Sequence, residues 1–204
     1  MSSTRATTPV RVHLAFGTLG RLQTVIKAEK ARGRAFLVAL RSQLGADAPE
    51  RSAAERAAAR ARARARLAEL RRDGELTDTR DVLVTHALRA ELAARGWDHD
   101  WPPPPADAPG AGRWPGSIAR SWPESLTVRL PADLAAQLQR ACAHVSAPAV
   151  AAVRVWRDAH PGIITPRTDP ALWEEYQRLA ADVITPGDVL RAAVARALPH
   201  PPQD

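Results

Sequence analysis

The chain has 204 residues, 45% of them hydrophobic, enough to bury a core and too many for a chain disordered throughout. No run of about eighteen apolar residues occurs and the start, Met1-Ser2-Ser3-Thr4-Arg5, is polar, so the expectation is a soluble, cytoplasmic protein without a membrane span. The single cysteine, Cys142, excludes an internal disulfide and suits a reducing compartment.

Net charge is +7, with 27 arginines beside only Lys27 and Lys30, a bias that GC-rich codon usage alone can produce. Its distribution says more. Residues 1–72 hold 16 basic and 5 acidic side chains, residues 73–101 hold 3 and 7, and residues 102–204 hold 10 of each. A local excess of this kind points to a polyanion, nucleic acid above all.

Val10, Val12, Leu14 and Phe16 alternate with Arg11, His13 and Ala15, the period of a half-buried strand that Gly17 ends. Thr18 can cap a following helix with Leu19, Leu22, Val25 and Ile26 on one face. A second stripe at Phe36, Leu37, Leu40 and Leu44 makes this either two helices or one long helix weakened at Gly33. Residues 50–72 are mostly Ala, Arg, Glu and Leu, strong helix formers with few large apolar groups. On that helix Arg56, Arg60 and Arg64 form one row at i, i+4 spacing, and Arg62 and Arg66 another. Asp73-Gly74 ends it; Thr77 or Asp78 can cap the next, which carries Val84, Leu88 and Leu92 and closes at Gly96.

Residues 97–124 combine Trp97, Trp101, Trp114 and Trp122 with recurrent proline, which rules out a regular helix and predicts an extended linker, part of it packed back through its tryptophans. Beyond it, Leu126, Val128 and Leu130 alternate with Ser125, Thr127 and Arg129. Pro131 opens a helix through Leu134, Leu138, Cys142 and Val145, and Ser146 starts another through Val150, Val153 and Trp156. Asp169-Pro170 and Thr185-Pro186 cap two more. The expected fold is mainly α: a basic helical N-terminal domain with one short strand (1–96), a Pro/Trp-rich linker (97–124), and a C-terminal strand with four helices (125–204).

The strand "SLTVRLP", the helix "ADLAAQLQRACAHV" and the helix "SAPAVAAVRVW" together resemble the ribbon-helix-helix family of DNA-binding proteins, of Arc and MetJ type, over about residues 125–160. "ITPGDVLRAAVARAL" is an alternative second helix for the same motif. The resemblance implies a homodimer whose two strands pair into a ribbon, with Ser125, Thr127 and Arg129 facing base edges and the amides at Ser146 and Ala147 facing a phosphate.

Candidate nucleic-acid contacts are therefore Lys27, Lys30, Arg32, Arg34, Arg56, Arg60, Arg62, Arg64, Arg66, Thr127, Arg129 and Ser146. Arginine neutralises phosphates and can bond guanine through two donors, and threonine meets either base type. Arg32-Gly33-Arg34 also reads as a minor-groove hook or, more simply, a basic helix junction. Asp98-His99-Asp100 offers potential metal ligands, but adjacent residues of an extended chain point in alternate directions and no second cluster completes a shell. No nucleophile elbow, phosphate loop, dinucleotide fingerprint or zinc-protease motif is present, so neither cofactor nor enzymatic activity is expected. The reading is a non-enzymatic DNA-binding regulator or accessory factor, a mobile-element factor being one form of it. The alternatives are a protein-interaction subunit or antitoxin-like partner docking at the helices around Trp156 and Trp173, and an RNA-binding protein.

Overall fold

The computed structural model describes residues 6–110, 114–115 and 122–198. The earliest and latest strands of the described chain meet: β1 (Thr7–Leu14) and β2 (Glu124–Pro131) form an antiparallel pair, Thr7 opposite Pro131 and Leu14 opposite Glu124. Seven helices complete the described fold, which is mainly α: α1 (Thr18–Gln43), α2 (Ala53–Asp73), α3 (Arg80–Ala94), α4 (Ala132–Val145), α5 (Ala147–Ala159), α6 (Pro170–Ala181) and α7 (Pro186–Ala197).

The alternation read in both strands is the alternation of burial. Val12 and Leu14 of β1 and Leu126, Val128 and Leu130 of β2 face inward, where Leu22, Leu88, Leu92, Leu134, Leu138, Val189, Leu190 and Val194 meet them. Residues from both sides of 97–124 thus share one core, and the boundary drawn there from composition does not separate two hydrophobic centres. The buried carboxylate of Glu91 in α3 reinforces the join, taking Arg95 at 2.8 Å and Arg196 of α7 at 3.0 Å.

The start of the Pro/Trp-rich segment, residues 97–103, runs as a strap along α4. Proline has no N–H to donate, so this chain offers carbonyls, and one flank of α4 supplies the donors. Gln137 Nε2 donates to the Trp97 carbonyl at 3.1 Å, Arg140 to that of Trp101 at 3.3 Å, and His144 Nε2 lies 3.1 Å from those of Pro102 and Pro103. Trp97 itself is buried in the core.

α1 runs unbroken through Gly33, where two helices were the alternative. The glycine is a place of close approach: a Cβ there would lie 3.0 Å from Leu76 Cδ2, within the small cluster of Leu67, Leu70, Leu76, Phe36 and Leu37. α1 is 26 residues long; Leu19, Leu22, Val25 and Ile26 pack on the main core, while its far half pairs with α2 as a hairpin arm. The buried seam of α2 is Ala59, Ala63, Leu67 and Leu70, so its core contact is thin, as its composition implied.

Several helix starts differ in detail from the sequence expectation. Thr18 is the first residue of α1 rather than its cap. The free amides of Gly17 and Leu19 donate instead to the Glu124 carboxylate of β2, at 2.8 and 2.7 Å. Thr79, not Thr77 or Asp78, caps α3. Asp78 is buried and receives Arg71 through two bonds of 2.9 and 2.6 Å, which raises the Arg71 pKa above its ordinary value. Asp169 and Thr185 cap α6 and α7 as expected, Thr185 within a capping box with Asp188.

Candidate nucleic-acid interface

A groove of about 760 Å³ runs between α1, the start of α3 and the outward face of β2. On α1, Gln23, Lys27, Lys30 and Arg34 recur at intervals of four, three and four and form one stripe along its wall. Arg80, the first residue of α3, closes one end, and Ser125, Thr127 and Arg129 make the opposite wall. Five cations line the groove against one carboxylate, Asp81, whose Oδ1 accepts the Arg129 amide at 3.1 Å. The N-terminus of α3 also opens here and adds the positive end of its dipole.

Five of the residues singled out from the sequence, Lys27, Lys30, Arg34, Thr127 and Arg129, are therefore brought to one place from opposite ends of the chain. Beside them lies the exposed face of the ribbon, where Arg11 stands opposite Thr127 and His13 opposite Ser125. Arg80, Arg11 and His13 were not among the sequence candidates. The polar half of the first strand's alternation marked Arg11 and His13 as outward. Their closeness to Thr127 depends on a pairing that neither strand specifies alone.

The other candidates sit elsewhere. Arg32 turns away from Lys30 and Arg34, pairing with Glu29 at 2.7 Å and donating to the Glu75 carbonyl, which pins α1 to the turn after α2. Arg60 is shared with Asp47 at 3.3 Å, and Arg66 pairs with Glu69 at 3.0 Å. Asp47, held chiefly by its hydrogen bond to Arg41, has a pKa below the ordinary carboxylate value. The side chains of Arg56, Arg62 and Arg64 form no ion pair or hydrogen bond among the described residues. The two arginine rows flank the Ala59–Leu70 seam, as the 100° advance per residue requires.

Ser146 is a correction. Its side chain is fully buried; Oγ donates to the Ile184 carbonyl at 3.0 Å and accepts the Ile184 amide at 2.9 Å. A hydroxyl spent on tying α4 and α5 to the start of α7 is closed to any phosphate. The ribbon also differs from the one the resemblance implies. β2 pairs with β1 of its own chain, and α3 and α1 also lie beside β2.

No described helix is long and apolar enough to cross a membrane. The described chain is a mainly helical protein built on a two-stranded antiparallel sheet. No protein-family model, curated protein or solved structure matches it.

Proposed function

We propose that this protein is a non-enzymatic DNA-binding protein that holds the phosphate backbone in the groove between α1 and β2. The observation that carries the reading is the convergence of Lys27, Lys30, Arg34, Arg80 and Arg129 on one surface, with a single acidic side chain among them. Cations set along a wall at helical spacing release condensed counterions when they meet successive phosphates, which supplies affinity without sequence information. Thr127 and Arg129, exposed on the ribbon, supply groups that can bond base edges. The unpaired Arg56, Arg62 and Arg64 of the α2 arm lie on the neighbouring hairpin and add a secondary, nonspecific contribution.

The test is a mobility-shift titration of the full chain on duplex DNA at several salt concentrations. Binding at about 50 mM salt that falls steeply by about 200 mM is expected. No binding at the lower salt, or a flat response, overturns the proposal. Thr127→Ala with Arg129→Ala is expected to erase preference among duplex sequences while leaving the fold intact. Tighter binding to a single-stranded or double-stranded RNA of equal length would move the reading to RNA.

A further inference from the structure

α5 and α6 pack around Val150, Val153, Trp156, Tyr176, Ala180 and Val183, a cluster of their own beside the main core. Where the 160–169 connection joins them, Trp156, Arg157, His160, Ile163, Trp173 and Tyr176 line a pocket of about 390 Å³, the size of a small-molecule site. Its aromatic wall is continuous. The rings of Trp156 and Tyr176 are 5.3 Å apart, those of Trp173 and Tyr176 are 5.7 Å apart and nearly stacked, and His160 lies 4.7 Å from Trp156. Ile163, 88% exposed, stands at the rim.

Two polar groups lie in this wall. Trp156 is only 7% exposed, yet its buried Nε1 has no acceptor among the described residues. That N–H is itself enclosed by protein, so a ligand lying in the open pocket does not reach it. The Arg157 guanidinium lies 5.4 Å from the Tyr176 ring centre, donates to Tyr176 Oη at 3.2 Å, and forms no ion pair among the described residues. No described residue lining the pocket is acidic.

We propose that this pocket binds a small carboxylic acid with a planar apolar body. The body lies against Trp156, Trp173 and Tyr176, and the carboxylate accepts from Arg157. A charge-assisted bond to arginine is the strong polar contact such a site can make, and it distinguishes the acid from a neutral molecule of the same shape. The proposal is independent of the nucleic-acid groove, which lies on other elements.

The experiment is calorimetric titration of the full chain with 3-phenylpropionate and with 3-phenylpropanamide, which has the same body without the charge. Saturable binding of the acid with Kd below about 1 mM is expected, with the amide about tenfold or more weaker. Arg157 is exposed, so Arg157→Gln spares the core; it is expected to weaken the acid about tenfold and leave the amide unchanged. Absence of saturation up to about 10 mM acid overturns the proposal. So does equal binding of acid and amide, or an Arg157→Gln protein that binds the acid like the parent. Preference for an amidated aromatic peptide over the free acid would show a protein-docking face instead.

Discussion

Removing the α1 stripe offers a quantitative test of the groove. Lys27, Lys30 and Arg34 are exposed, so Lys27→Ala, Lys30→Ala and Arg34→Ala together leave the core untouched. If each of the five groove cations neutralises one phosphate, the slope of log K against log salt is about −4.5 for the parent and about −1.8 for the triple variant. Between 50 and 200 mM salt, each contact is worth about half a decade of affinity, so the parent loses about 1.6 decades more than the variant over that range. The control carries the same change of net charge elsewhere: Arg56→Ala, Arg62→Ala and Arg64→Ala on α2. Its slope is expected to shift by less than about one unit. Fluorescence anisotropy with a labelled duplex measures all three proteins. If the two triple variants lose the same slope, overall charge rather than the groove governs binding and the reasoning fails.

Three further outcomes test the fold. Gly74 ends α2 at φ 81°, and a Cβ there would come within 2.4 Å of His86 Nδ1, so Gly74→Ala is expected to cost about 1–3 kcal/mol in chemical denaturation. Asp188 is partly desolvated, which raises its pKa, but hydrogen bonds from Thr185 and Arg191 outweigh burial and hold it below the ordinary value. A depressed pKa stabilises above the unfolded value and is lost on acidification. The melting-temperature gap between the parent and Asp188→Asn is therefore expected at neutral pH and to close as pH falls below the carboxylate range. Burial pushes the Cys142 thiol up to about 12, so a thiol reagent at neutral pH is expected to label it only at the rate of unfolding.

What could be read in the sequence was periodic and local. The alternation in β1 and β2, the stripe of α4, the caps at Asp169 and Thr185 and the stop at Gly74 depend on residues a few positions apart, and each is found in place. The pairing of β1 with β2 was not legible, because alternation reveals a strand's faces and not its partner. The groove shared that fate: its two walls lie about a hundred residues apart in sequence, and only that pairing brings them together. The prolines after Trp101 rightly excluded a helix over the described residues 101–110, and the carbonyls of Trp97, Trp101, Pro102 and Pro103 also made a strap for α4. Ser146 stands where a helix-start serine usually caps, yet its hydroxyl is drawn to the backbone of Ile184, 38 positions away.

Joining Leu14 to Glu124 and Thr7 to Pro131 sets an order on the making of the protein. At about 5–20 residues per second, the first strand leaves the ribosome roughly 6–23 s before its mate. During that wait Val10, Val12 and Leu14 face solvent on a segment with an unsatisfied backbone edge, while α1, α2 and α3 can already form from local contacts. Completion of the core is thus a late event in synthesis, and a nascent chain stalled before residue 131 carries a sticky strand with nothing to cover it.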